Sequence, residues 1–421
     1  MMFREESKLR RAKIAEYLKA NEMLLVFGGN DELGIEEAPI WEKRDPNFVY
    51  LTGLDIPGAL LMIGKLNGGI QDYLFIPRRS EMEAFYLGVS PDPEYYRLLC
   101  SMSGIFYLEE LDAMLDSFNL LSKIRKVYFA SGLEKISKYP SYESLLADRL
   151  CRSMPGLQIG RLTEELSFMR LRKSPLEIAQ IRKAIDVTGK AICDTAKVLK
   201  PDMHDYQLKS VLENSMRAQG GVPFSQVLLG KDATVMHNFH PDNIARDGEL
   251  LLIDCSAWVN DYVSDISRVF PVSGKFTDEQ AYWYNVCLTT QELVIENLAP
   301  GKLWADCGKE ANIYFEGELR KHGYLGEHED IRTLIGQCRR NFATPGMVNH
   351  GIGLQLAEGR MSEDGRLIPG MVFTVEPGVY LGDKGMGIRI EDNILITETG
   401  YEVLSKDIPK KIEDIEAMMK Q

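Results

Sequence analysis

The sequence predicts an α/β (α+β) protein of two domains, and three observations carry that reading. At 421 residues the chain is too long for one small core, since a domain averages about 150 residues. Short apolar runs (Met23–Phe27, YLFIP, KVYFA) alternate with helix-period patterns as far as Ile159, the mark of a mixed α/β domain. The stretch MPGLQIGRLTEELSFMRLRK then changes from strand-like to charged helical character, which places the join within Gly160–Lys173 and divides the chain into 1–164 and 165–421.

Taken in order, an amphipathic helix with Leu9, Ile14, Tyr17 and Leu18 on its apolar face runs into the Met23–Phe27 strand. RDPNFVYLTGLDIPGALLMI, from Arg44 to Ile63, reads as strand, turn at Asp55-Ile56-Pro57-Gly58, and strand. A long helix starts at Ser174-Pro175-Leu176-Glu177, where Ser is a good N-cap, Pro suits the first helical position and Glu completes a capping box. Its buried stripe is Ile178, Ile181, Ile185 and Ile192, and Pro201 ends it. A second helix, about Tyr206 to Gln219, stops at Gly220-Gly221. No internal repeat or low-complexity segment is visible.

Hydrophobic content of 45% and charged content of 26% are ordinary for a soluble globular protein. A net charge of −13 argues against nucleic-acid and anionic-membrane partners. No apolar run approaches the roughly 18 residues of a membrane span, and MMFREESKLRRAKIAEYL is too charged for a signal peptide, so the expected location is cytoplasmic. The seven cysteines are scattered, odd in number and without a CxxC pair, which indicates neither a disulfide framework nor a thiolate zinc site.

The stretch from Leu250 to Phe270 carries the chemistry. An apolar run delivers Asp254, a turn near Val259 and Asn260 follows, and a second strand carries Asp265. With Val259-Asn260 as the loop, the two aspartates face each other across a hairpin, about 5 Å apart at Cβ. Carboxylates that close repel unless a proton or cation lies between them, and two metal ions about 3.5–4 Å apart fit such a gap. The competing reading makes both of them ordinary polar positions at the ends of a hairpin.

Other candidates surround this pair. His237 and His240 lie in a loop before the Asp254 strand, whereas His204, His322 and His328 read as surface residues. His350 precedes Gly-Ile-Gly, where small residues let a backbone and its metals approach closely, and neutral imidazole is a common ligand. In VFTVEPGVY a strand brings Glu376 to its end at Pro377-Gly378. GIRIEDNILIT puts Arg389 and Glu391 on one strand face and Ile388 and Ile390 on the other, so that Arg389 can orient the carboxylates and hold them ionised.

Two sets of residues carry a family resemblance. RDPNFVYLTG is similar to a segment in the N-terminal domain of aminopeptidase P and its relatives. Asp254, Asp265, His350, Glu376 and Glu391, within SDISRVFPVSGKFTDEQ, GMVFTVEPGVY and GIRIEDN, match in order and context the five ligands of the pita-bread metallopeptidases. The resemblance implies a creatinase-like N-terminal α/β domain, a C-terminal pita-bread catalytic domain and a homodimer or higher homo-oligomer. It also implies two divalent ions per chain, Mn²⁺ with Co²⁺ or Zn²⁺ accepted, because four carboxylates and one imidazole make a hard, oxygen-rich site. In that pattern Asp254 binds one ion, Asp265 and Glu391 bridge the pair, and His350 and Glu376 bind the other. Glu376 serves as general base. His237 stands 17 residues before Asp254, the place of an active-site histidine that contacts the substrate carbonyl or leaving group. The implied activity is that of an Xaa-Pro aminopeptidase or dipeptidase, acting on short peptides with proline at the second position.

The chain departs from the pattern twice. Ala357 stands where the family has a second histidine, and Gly346 where proline-directed members often have another. A register shifted by four would make His350 that upstream histidine and leave Leu354 at the ligand position; the unshifted register keeps all five ligands. Alanine can neither donate a hydrogen bond nor share a proton. A related non-peptidase C–N hydrolase and a catalytically impaired binding protein therefore stand beside the peptidase reading.

Overall fold

A six-stranded sheet organises the first of two units, Met1–Met169 and Arg170–Gln421, in a computed structural model that describes residues 2–29, 45–66, 68–130, 141–238, 242–329, 342–343, 349–358, 362 and 364–420. The elements of the first unit are α1 (Arg4–Ile14), β1 (Glu22–Phe27), α2 (Pro46–Thr52), β2 (Leu60–Leu66), β3 (Gly69–Ile76), α3 (Glu81–Leu87), α4 (Pro93–Leu99), β4 (Gly104–Tyr107), α5 (Leu111–Ser122), β5 (Lys126–Phe129), α6 (Tyr142–Ser153) and β6 (Gln158–Arg161). The strand order is β4-β3-β2-β1-β5-β6, with β1, β2 and β3 antiparallel and the outer pairings parallel. Alternate residues such as Met23, Leu25, Met62, Phe75, Val127 and Phe129 bury against Leu115 of α5 and Leu146 and Leu150 of α6.

In this unit one expectation fails and another holds for half of its residues. The segment after Arg44 is helix, not strand: the Asp45 side chain accepts from the Asn47 and Phe48 amides, Pro46 takes the first position, and Gly53 ends α2 at φ 70°. Every residue from Asn47 to Thr52 is buried, so no polar face betrays the helical period. In α1 Ile14 is buried as expected, as is Leu18 just beyond, but Leu9 is 69% exposed, Tyr17 is also exposed, and Ser7, Arg10 and Arg11 complete the buried stripe. Arg11 tolerates burial because it donates to Asp72 at 2.6 Å and to the Leu51 carbonyl at 2.8 Å, so a charged residue shares the buried face with Ile14.

The second unit follows α7 (Thr163–Leu171). It comprises α8 (Pro175–Val198), α9 (Asp205–Ala218), β7 (Val222–Leu229), β8 (Leu250–Val259), β9 (Tyr262–Val263), β10 (Ile266–Pro271), α10 (Asp278–Glu296), α11 (Trp304–Cys307), α12 (Lys309–Lys321), β11 (Phe342–Ala343), β12 (Val372–Val375), β13 (Gly378–Leu381), β14 (Met386–Arg389), β15 (Asp392–Ile396), β16 (Tyr401–Val403) and α13 (Ile412–Met419). The Ser174-Pro175-Glu177 capping box forms as the sequence predicts. Three antiparallel sheets, β10-β8-β7, β11-β13-β14 and β12-β15-β16, carry the candidate residues. Val294 and Ile295 of α10 pack on Phe373, Val375, Ile394 and Ile396 beneath them.

The hairpin register differs from the expectation. Asn260 and Asp261, at φ 49° and 72°, form the turn, so Asp254 pairs with Ser267 and Val259 with Tyr262. A two-residue turn of this hand needs positive φ at both central positions, which Asn and Asp tolerate and β-branched Val259 does not. Asp265 therefore lies against Ser256, whose Oγ donates to its Oδ1 at 3.1 Å, and is the diagonal neighbour of Asp254 on the same sheet face.

Candidate metal centre

Each acidic side chain reaches the centre from a different local device. Asp254 lies in the middle of β8, and Asp265 in the two-residue gap between β9 and β10. Asn393 of β15 grips the Asp265 backbone from both sides, accepting its amide at 3.1 Å and donating to its carbonyl. Glu376 follows the last residue of β12, and Glu391 sits between β14 and β15. The expectation that Arg389 and Glu391 share a strand face is thus corrected: the strand breaks after Arg389, because Arg389 pairs within one sheet and Asp392 within another.

His350 is held in place by Thr374. The His350 amide donates to Thr374 Oγ1 at 3.2 Å, the Thr374 amide returns a bond to the His350 carbonyl at 3.0 Å, and Thr374 Oγ1 donates to Glu376 Oε1 at 2.8 Å. One threonine thereby fixes both the His350 main chain and a carboxylate, while the imidazole Nδ1 lies 3.2 Å from the Gly351 carbonyl. His350 Nε2 lies 3.4 Å from Asp265 Oδ2 and 3.5 Å from Glu376 Oε1. Asp265, His350 and Glu391 each present an atom within 4.8 Å of the others, a spacing able to hold a metal ion.

Asp254 occupies the Arg389 side of the cluster. The Arg389 guanidinium donates to Asp254 Oδ2, to Ser267 Oγ at 3.0 Å and to the Tyr380 hydroxyl at 2.7 Å, and Gln226 Nε2 adds a 3.0 Å bond to the same aspartate oxygen. Ser267 Oγ donates onward to Glu391 Oε2 at 2.7 Å, so Arg389 supports Glu391 through a hydroxyl.

Asp254, Asp265, Glu376 and Glu391 are all buried. Burial, reinforced by the neighbouring carboxylates, pushes Asp265 and Glu391 well above the usual carboxylate range. Burial also raises Glu376, to about 7, against the lowering influence of Arg389 and the Thr374 hydroxyl. Four acids gathered around one guanidinium leave an excess of negative charge that divalent cations would neutralise.

Gly351 and Gly353 are each required by their contact with Glu358. A Cβ on Gly351 would meet the Glu358 carbonyl at 2.2 Å, and one on Gly353 would meet Glu358 Oε2 at 1.8 Å. Glu358 is buried between two cations, accepting from Arg170 Nε at 2.7 Å and lying 3.0 Å from Lys173 Nζ, and its amide donates to the Gly351 carbonyl at 2.7 Å. The acid that follows Ala357 is thus the anchor of the His350 segment. The basic residues of RLRK before α8 were its readable counterpart.

His237 is exposed in a turn, and the carbonyl of its neighbour Met236 accepts from Arg389 Nη1 at 3.4 Å. Ala357 is exposed, His322 and His328 are exposed, and His204 is half-buried ahead of α9. His240 and Gly346 lie outside the described residues.

Residues 179–398 match metallopeptidase family M24. The chain belongs to that family. Residues 7–128 match the aminopeptidase P N-terminal domain, which puts this M24 chain in the aminopeptidase P branch, with that domain preceding a pita-bread domain. It is 30% identical over 435 residues to the Xaa-Pro aminopeptidase of Haemophilus influenzae, covering 99% of this chain and 97% of that protein. It is also 30% identical over 449 residues to the Xaa-Pro aminopeptidase of Escherichia coli, covering 99% and 98%. Among solved structures, zinc-substituted Escherichia coli aminopeptidase P in complex with product gives a TM-score of 0.86 at 28% identity, again over 99% and 98% of the two chains. This M24 chain is a metallopeptidase that binds divalent metal. Among its described residues no helix is long and apolar enough to cross a membrane.

Proposed function

We propose that this M24 chain is a dinuclear Xaa-Pro aminopeptidase or dipeptidase that hydrolyses short peptides with proline at the second position. The observation that carries the reading is the convergence of Asp265, His350 and Glu391 within 4.8 Å, with Asp254 and Glu376 on either side, in a buried site whose acids cannot all ionise unaided. Its oxygen-rich donors fit two Mn²⁺ ions, with Co²⁺ or Zn²⁺ as substitutes. Asp254 would serve one ion, Asp265 and Glu391 both, and His350 and Glu376 the other. The bound cations would supply Lewis acidity toward the scissile carbonyl and activate water near neutral pH.

The chain's own residues do the rest. Thr374 holds Glu376 Oε1, so Glu376 takes and returns the proton at its other oxygen, delivering it to the leaving imino nitrogen. Arg389 orients Asp254 by donating to its Oδ2, and His237, in its exposed turn, meets the substrate carbonyl or leaving group. The full-length likeness to Xaa-Pro aminopeptidases and the five retained ligand types favour this reading over a non-peptidase C–N hydrolase or a binding protein. Self-association as a homo-oligomer is supported by Met82, Phe85, Tyr86 and Val89, which are 66%, 80%, 74% and 85% exposed.

The test is metal content combined with a peptide screen. Protein reconstituted with Mn²⁺ should hold two ions and cleave Xaa-Pro peptides in preference to Xaa-Ala peptides, and Asp265→Ala should lose both ions. Two ions retained in that variant, or no cleavage of any Xaa-Pro peptide by the loaded wild type, would overturn the proposal.

A further inference from the structure

The two glutamates of the centre sit where two sheets part company. β12 and β15 pair as far as Val375 with Asp392, and β13 and β14 pair from Gly378 with Arg389 onward. Between those rungs lie Glu376-Pro377 on one strand and Ile390-Glu391 on the other. Across this step the Ile390 amide donates to the Pro377 carbonyl at 3.4 Å, but Pro377 has no N–H to return a bond, so the Ile390 carbonyl needs a donor from elsewhere.

Gln291 of α10, fully buried, supplies it with one amide group. Its Nε2 donates to the Val375 carbonyl at 3.0 Å and to the Ile390 carbonyl at 3.1 Å, the residues immediately before Glu376 and Glu391. Its Oε1 accepts from Lys410 Nζ at 2.9 Å, and Lys410 also donates to Asp392 Oδ2 at 2.7 Å. Asp392 Oδ1 accepts from Arg268 Nη2 at 2.7 Å, and Arg268 Nη1 donates to the Glu391 carbonyl at 2.7 Å. The chain Gln291–Lys410–Asp392–Arg268 therefore begins on the carbonyls that precede the two glutamates and ends on the carbonyl of Glu391 itself.

Resting on the reading of Glu376 and Glu391 as metal-holding residues, we propose that Gln291, braced by Lys410, is a positioning residue that sets the spacing of the two glutamates by supplying the bond Pro377 cannot donate. Only a primary amide carries two N–H donors on one nitrogen beside an acceptor, which is what two carbonyls and an ammonium require. A glutamate here could not donate to both carbonyls. A methionine of similar shape would leave both carbonyls and the Lys410 charge without this partner.

The experiment compares Gln291→Met with Val294→Ala, a cavity variant one turn along the same helix that leaves the amide in place. Mn²⁺ is titrated calorimetrically into chelator-treated full-length protein, and steady-state cleavage of an Xaa-Pro peptide is measured at saturating Mn²⁺. Gln291→Met should weaken the weaker Mn²⁺ site and lower kcat by about 10-fold or more while KM moves less than about 2-fold, as loss of a ligand-orienting contact does. Val294→Ala should lower Tm and leave Mn²⁺ affinity and kcat at wild-type values. If Gln291→Met does not fold, Lys410→Met, which keeps the amide but removes its brace, is read in the same assays. Mn²⁺ affinity and kcat within about 2-fold of wild type in the folded variant would reduce Gln291 to a core hydrogen bond. A wild type that takes up no Mn²⁺ would instead overturn the metal reading itself, and this proposal with it.

Discussion

The Arg389 guanidinium donates to Oδ2 of Asp254, pairing the last residue of β14 with the middle of β8 in a buried contact that spans 135 positions of sequence. Breaking a buried ion pair from one side costs about 3–5 kcal/mol, because the remaining charge stays desolvated. Arg389→Met should destabilise the metal-free protein by that order, and by clearly less when Mn²⁺ takes over the neutralisation of Asp254. Urea unfolding with and without Mn²⁺ checks this; an equal loss in both would mean that the guanidinium does not serve the carboxylate.

Glu376 sets a pH dependence whose sign is fixed by burial. Its folded value, about 7, lies above the ordinary value of 4.5, so the stability it allows is present at low pH and lost as pH rises through 7. Asp265 and Glu391 are shifted in the same direction. Asp392 and Glu358 are also buried, yet the charges of Arg268 and Lys410 and of Arg170 and Lys173 hold them below the usual range, so their contributions fade only in acid. The Tm of metal-free protein should therefore fall between pH 5.5 and pH 8 by an amount that Mn²⁺ abolishes, and the fall should be shallower in Glu376→Gln.

The same substitution removes the proposed proton acceptor. Glu376→Gln should lower turnover on any cleaved peptide by about 10²-fold or more, the scale of a lost general base. Unchanged turnover at full metal loading would place the proton transfer elsewhere.

Gly353 is required by its neighbour. A Cβ would lie 1.8 Å from the Glu358 carboxylate and drive it off Lys173, so Gly353→Ala should cost about 1–3 kcal/mol, the range for overpacking a close-fitting site. Thermal unfolding measures the cost, and a wild-type Tm would show that the segment yields freely.

Ala357, one residue before that anchor, is exposed, so Ala357→His should change stability by no more than about 0.5 kcal/mol. If the chain is a proline-directed peptidase lacking one hydrogen-bonding group, the variant should raise kcat/KM on an Xaa-Pro peptide several-fold at unchanged metal content. No gain, together with wild-type hydrolysis of a non-peptide amide, would favour the C–N hydrolase.

Much of the site's chemistry was legible because it depends on residue type and local order. Ser174-Pro175-Glu177 specifies the start of α8 through contacts within three residues. The β-strand that delivers Asp254 follows from its apolar run, and two nearby aspartates already require a cation or a proton between them. The α2 helix is illegible in the sequence because full burial erases the polar face that marks helical period, leaving only Asp45, Pro46 and Gly53 as signals.

Sequence alone determined which side chains could form the centre and the elements that carry most of them, since caps, turns and periodicity act over a few residues. Tertiary structure decided how they meet. The positive φ angles of Asn260 and Asp261 moved the hairpin register and set Asp265 against Ser256 instead of Asp254. The partners of Glu358 and Glu391 lie 188 and 124 positions away, in Arg170 and Ser267, and Gln291 reaches across 99 positions to Ile390. Such pairings are selected by which buried donor and acceptor can satisfy each other once the sheets have packed, a condition no local pattern along the chain encodes.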